Sequence, residues 1–259
     1  MAPRVFGRLG AQITAIHAEP DGDNINRDCG ATRPEVLGEA VRQQGADLGV
    51  AFDGDGDRLV MADANGATFD GDQLLYIIAR FRQKNRLLDG GVVGTLMTNL
   101  GMEQALASHG IGFARAAVGD RYVLEKMLEN RWQLGGENSG HIICLDKHTT
   151  GDGIVSALQV LHALRAGNCS LAELCRDMTL YPQVLINVRI VRGFDFKADR
   201  EIQSALKAAE TGLKGRGRVL LRASGTEPVL RVMVEGEPRD LIVELAETLA
   251  RTIGKRAAA

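Results

Sequence analysis

The stretch Leu48-Gly49-Val50-Ala51-Phe52-Asp53-Gly54-Asp55-Gly56-Asp57-Arg58-Leu59-Val60-Met61-Ala62 sets a short acidic run between two apolar ones. Leu48–Phe52 reads as a buried strand, and Leu59–Ala62 resumes a strand pattern. The Asp-Gly repeat therefore lies on a loop between strands. Glycine at every second position lets such a loop fold until its carboxylates converge. Clustered anions repel one another unless a cation neutralises them, and hard oxygen ligands suit Mg²⁺. Asp53, Asp55 and Asp57 are thus candidate metal ligands. An EF-hand loop is rejected. Counted from Asp53, Arg58 stands where that motif needs its glycine, and Ala64 where it needs its glutamate. An acidic surface turn is the plainer alternative, but it requires neither three aspartates nor the arginine that follows them.

Outward from this loop, helical and strand patterns alternate, which predicts an α/β architecture. On the N-terminal side, Ile13–His17 is a short apolar run that predicts a strand. Pro34 marks a helix start, followed by Val36, Leu37, Ala40 and Val41 at helical spacing. On the C-terminal side, a helix is predicted from Gly71 to Phe81 with Asp72 as its N-cap. A strand follows at 91–97, a helix at 100–108, a strand at 112–116, a helix at 121–129, a strand at 141–145 and a helix at 152–164. Beyond Tyr181-Pro182 come a strand (184–190), a helix (199–209), two strands (218–221 and 229–235) and a last helix (239–253), a compact α+β unit. The length of 259 residues fits two domains or three small ones.

Two further stretches gather chemistry. Gly135-Gly136-Glu137-Asn138-Ser139-Gly140-His141 is expected to form a glycine-rich loop. Glu137 and Ser139 are hydrogen-bonding groups of the kind that read vicinal sugar hydroxyls, and His141 can move a proton near neutral pH. A glycine-rich turn with a solvated glutamate is an equally available reading. Arg222-Ala223-Ser224-Gly225-Thr226-Glu227-Pro228, with Arg231 beyond it, is expected to form a loop that cradles phosphate. Arginine supplies bidentate donors, while Ser224, Thr226 and loop N–H groups complete an oxyanion shell. An ordinary hairpin loop with surface arginines is the alternative. His17, His109, His148 and His162 have no partner at metal-ligand spacing and read as structural.

Composition narrows the function classes. Charged residues make up 25% and the net charge is −2, so no basic field points to nucleic acid or to an anionic membrane. No apolar run reaches the roughly 18 residues of a membrane span. The first residues lack the apolar core of a signal peptide. Cys29, Cys144, Cys169 and Cys175 show no CxxC spacing and read as buried reduced thiols of a cytoplasmic protein.

Taken in order, DGDGDR, GGENSGH and RASGTEPVLR resemble the metal loop, sugar loop and phosphate loop of the α-D-phosphohexomutase superfamily. The longer strings AFDGDGDR, VGDRYVLEKM, LGGENSGHII, TGDGI and SGTEPVLRVMVEG look most like its bacterial phosphoglucosamine mutase branch. Phosphomannomutase/phosphoglucomutase relatives, the alternative branch, typically read GEMSGH at the sugar loop. The resemblance implies mixed-sheet α/β domains followed by a C-terminal α+β domain. Residues 1–66 would be part of the second family domain, 67–181 the third and 182–259 the fourth.

The resemblance also implies roles. Asp53, Asp55 and Asp57 would hold Mg²⁺. Arg58 and His141 would be catalytic, Arg58 neutralising a transferring oxygen and His141 moving a proton. Glu137, Asn138 and Ser139 would bind the sugar, and Arg222, Ser224, Gly225, Thr226 and Arg231 its unreactive phosphate. The reaction implied is exchange between glucosamine 6-phosphate and glucosamine 1-phosphate through a hexosamine bisphosphate, for amino-sugar and peptidoglycan precursors. The ligands would be phosphosugars, with no nucleic acid or membrane partner, and a homodimer is compatible with it. Family members use a phosphoserine in a Ser-His-Asn-Pro context. The six serines here include only one before a histidine, Ser108-His109-Gly110-Ile111, without Asn-Pro. The chain is therefore expected to begin inside the second domain and to lack turnover by itself. A non-catalytic phosphosugar-binding module and an inert fragment are the other classes left open.

Overall fold

The computed structural model describes residues 1–191, 193–224 and 227–257. Backbone contacts divide the chain into two units. The first holds Met1–Thr98 and Met102–Met178, the second Asn99–Gly101 and the residues from Thr179 onward.

The first unit opens with helix α1 (Ala2–Arg8), whose Phe6 ring stacks on Phe52 at 6.5 Å. The strand expected at Ile13–His17 is absent. This stretch forms no regular element and pairs with no strand among the described residues, His17 has a φ of 50°, and Ile13 and Ile16 are exposed. A strand needs a partner ladder for its backbone groups, which apolar side chains alone do not provide.

Helix α2 (Pro34–Gln44) begins at Pro34 and ends at Gly45 in the left-handed conformation. Its Leu37 and Val41 pack on the hairpin of β1 (Leu48–Phe52) and β2 (Leu59–Asp63), at Ala51, Val60 and Ala62. The short β3 (Thr68–Phe69) completes an antiparallel sheet in the order β1-β2-β3.

Helix α3 (Gly71–Lys84) is capped by Asp70 rather than Asp72. Asp70 Oδ1 accepts from Gln73 N at 3.1 Å, and Gln73 Oε1 accepts from Asp70 N at 3.2 Å. This capping box satisfies two otherwise orphaned donors and leaves Asp72 buried in the first turn. Residues 74–79 are buried throughout, so α3 is a core helix rather than a half-solvated one.

The second sheet, in the order β5-β4-β6-β7, is mixed. It contains β4 (Val92–Thr95), then β5 (Phe113–Ala116) after α4 (Leu100–Ser108), then β6 (Leu134–Gly136) after α5 (Asp120–Asn130), and finally β7 (Ile142–Cys144). Strand β4 runs parallel to β5 and β6, and β7 closes antiparallel on β6. Helix α6 (Gly153–Gly167), capped by Asp152 through Val155 N at 2.9 Å, packs Ala157, Val160 and Ala163 into the same core as α3. A single turn, α7 (Leu171–Leu174), follows.

The second unit is an antiparallel sheet in the order β8-β10-β9, built from β8 (Gln183–Arg189), β9 (Gly217–Ala223) and β10 (Val229–Gly236), with α8 (Arg200–Leu213) between β8 and β9 and α9 (Arg239–Ala257) at the end. Ile202, Leu249 and Ile253 of the helices meet Leu230 and Val232 of the central strand. Glu235 on β10 is fully buried. It accepts from Gln183 Nε2 and from Leu100 N, both at 2.8 Å, and pairs with Arg218.

All four cysteines are free. Cys144 and Cys175 are buried, and burial pushes their thiols up to about 11 and about 12. Cys29 and Cys169 are only half-buried, which corrects the expectation of four buried thiols. No helix of the described residues is long and apolar enough to cross a membrane.

Candidate functional site

The hairpin turn between β1 and β2 carries the acidic run. The chain reverses at Gly56, whose φ of 76° suits glycine, and Gly56 N donates to Asp53 O at 3.2 Å. Arg58 N donates to Asp53 Oδ1 at 3.1 Å and ties that carboxylate across the turn. One oxygen each from Asp53, Asp55 and Asp57 can lie within 4.8 Å of one another, a set able to hold a metal ion.

The three carboxylates differ in surroundings. The Asp53 side chain is 4% exposed and Asp57 32%, while Asp55 is exposed. Asp57 Oδ1 is buried and has no hydrogen-bond partner. Burial holds the Asp57 carboxyl above the usual aspartate range. The charge of His141 opposes that shift, Asp53 and Asp55 add to it, and Arg58 opposes it weakly. Arg58 Nε lies 3.5 Å from Asp53 Oδ2 and 3.9 Å from Asp57 Oδ1.

The expected glycine-rich loop at 135–140 is shorter than the sequence reading made it. Gly135 and Gly136 are ladder residues of β6; Val123, Met127 and Val93 leave no space for a side chain at Gly135, and the His141 carbonyl and Ile142 crowd Gly136. The turn proper runs from Glu137 to His141, with Gly140 N donating to Glu137 O at 3.0 Å and Gly140 at φ 99°. Two backbone links join it to the acidic hairpin. Leu59 N donates to Gly140 O at 3.0 Å, and Arg58 and His141 form an antiparallel bridge. The buried His141 imidazole thereby comes to rest with Nε2 3.4 Å from Asp57 Oδ2. Its Nδ1 is buried without a partner.

Glu137 is half-buried, and its Oε1 accepts from Gly119 N at 2.9 Å. The carbonyl of half-buried Asn138 accepts from Gly71 N at 3.1 Å, anchoring the turn to the start of α3. Ser139 is exposed at the tip. The structure thus brings Asp53, Asp55, Asp57, Arg58 and His141 together, with Glu137, Asn138 and Ser139 on the adjoining turn.

Sequence reasoning missed the supporting backbone. Gly119 holds Glu137, and Gly153 N donates to Gly56 O at 2.9 Å. Both glycines sit in the VGDR and TGDGI strings, whose residues had been given no role. Unassigned glycines flanked by acids were the available signal.

The basic stretch belongs to the second unit. Arg222 and Ala223 are not loop residues as expected but continue β9, because the ladder runs on through Arg222↔Arg231 and Ala223↔Leu230. Ser224 N closes the hairpin on Val229 O at 2.8 Å, and Ser224 Oγ accepts from Glu227 N at 3.3 Å. Gly225 and Thr226 lie outside the described residues. Arg222 and Arg231 are cross-strand partners, and the Nε of each is buried without a hydrogen bond. Burial, then the charge of Arg231, depresses the Arg222 pKa.

Known proteins give this arrangement a context. The phosphoglucomutase/phosphomannomutase models match residues 1–66 (alpha/beta/alpha domain II), 70–181 (alpha/beta/alpha domain III) and 185–252 (C-terminal domain). The phosphoglucosamine mutase of Methylobacillus flagellatus is 59% identical over 258 residues, covering 100% of this chain and 57% of that protein. The phosphoglucosamine mutase of an Azoarcus species is 58% identical over 253 residues, covering 98% of this chain and 56% of that protein. The chain thus spans just over half the length of the curated relatives it matches. A Burkholderia thailandensis phosphoglucomutase/phosphomannomutase family protein superposes with a TM-score of 0.76 at 20% identity, covering 99% of this chain and 57% of that one. Aspergillus fumigatus N-acetylphosphoglucosamine mutase, solved with GlcNAc-6P and magnesium, gives 0.73 at 20% identity, over 91% and 54%. At such identity these structures speak to the fold. With all three domain models matched in order, the chain belongs to the phosphoglucomutase/phosphomannomutase family.

Proposed function

We propose that these 259 residues supply the metal, sugar and distal-phosphate sites of a Mg²⁺-dependent phosphoglucosamine mutase, which interconverts glucosamine 6-phosphate and glucosamine 1-phosphate through a hexosamine bisphosphate. The observation that carries the reading is the joining of the acidic triad to the Glu137–His141 turn through the Arg58–His141 bridge. Residues 1–66, 67–181 and 182–259 then correspond to three family domains. Free cysteines are in keeping with a reducing compartment such as the cytoplasm.

The residues fit Mg²⁺. Three carboxylates converge, and Asp57 Oδ1 is buried without a donor, an acceptor a cation would satisfy. Bound there, Mg²⁺ would supply Lewis-acid charge to a phosphoryl oxygen. The chain's own residues do the rest by position and charge, as phosphoryl transfer requires. Arg58 holds Asp53 and offers its guanidinium to a transferring oxygen. Glu137, fixed at Oε1 by Gly119, together with Asn138 and Ser139 holds sugar hydroxyls in either orientation. His141 moves a proton at the hydroxyl that gains or loses phosphate. Arg222, Ser224, Gly225, Thr226 and Arg231 grip the phosphate that does not react.

No serine of the 259 residues stands in the Ser-His-Asn-Pro context, so turnover needs a phosphoryl-carrying segment beyond them. The test compares this chain with a version extended by the N-terminal domain of a relative. Both are titrated with Mg²⁺ and glucosamine 6-phosphate by calorimetry, and both are assayed for glucosamine 1-phosphate. Binding by both and turnover only by the extended form is expected, with Mg²⁺ binding weakened by Asp55→Asn. Identical Mg²⁺ curves for wild type and Asp55→Asn would sink the metal assignment, and absence of phosphosugar binding would sink the function.

A further inference from the structure

The step Thr150-Gly151-Asp152-Gly153 touches the site twice without offering it a ligand atom. Gly151 is buried and bridges antiparallel to Ile143 on β7. A methyl group on Gly151 would fall on Nε2, Cε1 and Cδ2 of His141, so the imidazole lies directly on this backbone. Two residues on, a methyl group on Gly153 would fall 2.5 Å from the Phe52 ring and 2.9 Å from the carbonyl oxygens of both Gly56 and Arg58. The Gly153 N–H is spent on Gly56 O at 2.9 Å. Neither glycine has a positive φ, so the backbone alone would admit any residue. What excludes larger residues is the space occupied by His141 on one side and by the acidic turn on the other. Between them, Asp152 caps α6, which anchors the step in the core.

We propose that Gly151-Asp152-Gly153 is a positioning element that sets the His141 imidazole and the backbone of the acidic turn in one fixed register, Gly151 acting through His141 and Gly153 through Gly56. The inference rests on the reading of Asp53, Asp55 and Asp57 as a Mg²⁺ site. Asp57 Oδ2 and His141 Nε2 are 3.4 Å apart, a separation that survives only if both neighbours stay where this step holds them. An added methyl at 151 displaces the ring and leaves the Gly153–Gly56 bond intact. An added methyl at 153 displaces the turn itself. Groups that orient ligands from outside the first coordination layer typically change metal affinity by about 10–100-fold when lost.

The experiment uses the full 259-residue chain, labelled with ¹⁵N-histidine, and Mg²⁺ alone as the probe. In wild type, Mg²⁺ shifts the His141 ring signals in long-range ¹H–¹⁵N spectra. In Gly151→Ala that response is lost while Mg²⁺ affinity by calorimetry changes less than about threefold. In Gly153→Ala affinity falls by at least about tenfold. Thermal unfolding supplies a second arm that needs no metal. The loss of Tm caused by Gly151→Ala disappears in the Gly151→Ala/His141→Ala pair, where the ring is gone. A wild-type-like His141 response in Gly151→Ala, or a double variant as destabilised as the single one, overturns the role of Gly151. Unchanged Mg²⁺ affinity in Gly153→Ala overturns that of Gly153. Failure of wild type to bind Mg²⁺ refutes the metal reading instead, and with it the functional part of this inference; the unfolding arm then still decides the Gly151–His141 contact.

Discussion

Asp53, Asp55 and Asp57 in the first unit and Arg222 with Arg231 in the second are both clusters of like charge, and the chain holds them differently. The acidic cluster is partly answered from within. Arg58 Nε lies 3.5 Å from Asp53 Oδ2, and His141 Nε2 lies 3.4 Å from Asp57 Oδ2. The basic pair is not. Arg222 and Arg231 face each other across β9 and β10, and neither Nε has a hydrogen-bond acceptor. Like charges directly opposite on a sheet are destabilising. The acidic side is thus partly answered by its own fold, whereas under the function proposed above the basic side would be answered by phosphate.

Within the second unit, Arg218 shows what an answered arginine looks like, paired with the fully buried Glu235. The largest expected effect follows from breaking that pair. Glu235→Ala leaves Arg218, Gln183 and Leu100 N without their shared acceptor and is expected to lower unfolding free energy by about 3–5 kcal/mol. Urea denaturation with an unchanged m-value measures it. A loss well under about 1 kcal/mol would place the pair with ordinary surface ion pairs.

Arg222→Ala should behave the opposite way. A charged hydrogen bond is worth about 1.5–3 kcal/mol, so binding of inorganic phosphate or phosphosugar should weaken by at least about tenfold. Stability without ligand should stay level or rise slightly, since a like-charge contact is relieved. Calorimetric titration beside thermal unfolding reads both. If the variant unfolds more easily and still binds phosphate as wild type does, Arg222 is structural and the contrast between the two clusters collapses.

How far the sequence could be read follows the same division. The acidic cluster was legible because its carboxylates occupy one contiguous run, and the apolar strands beside it fix where the turn falls. The bridge from Arg58 to His141 was not, since it joins residues 83 positions apart whose proximity depends on sheet and turn geometry. Arg222 was misplaced onto a loop because its own chemistry is polar, whereas its position is set by the register with Arg231. At Ile13–His17 local propensity pointed to a strand, but no ladder accompanies it among the described residues. Asp70 and Asp72 compete for one cap, and what decides between them is Gln73, whose side chain reaches back to Asp70 N.

A third charged pair, Arg82 with Asp146, tests the contrast at the small end. Arg82 Nη1 lies 2.9 Å from Asp146 Oδ1, with the arginine side chain 5% exposed and the aspartate 25%. Burial alone would raise the Asp146 pKa, but hydrogen bonds and charge from Lys147 and Arg82 outweigh it and hold the carboxyl below its usual 3.8. A carboxyl depressed in the folded state stabilises the fold above its unfolded pKa, and that contribution fades as pH falls through the folded value. Asp146→Asn removes the titrating group while keeping the shape, so Arg82 loses its ion pair and keeps neutral acceptors, among them Gln159 Oε1 at 3.1 Å. The stability difference between wild type and Asp146→Asn should be about 1 kcal/mol at neutral pH, as for a partly exposed pair. It should hold level while the unfolded chain stays ionised and shrink only in acid below the ordinary aspartate range. Urea unfolding of both proteins at neutral, mildly acidic and strongly acidic pH measures this. A difference that persists undiminished in strong acid would mean that asparagine perturbs packing rather than charge. The pair would then not count as an internally answered charge like those around Asp53 and Asp57.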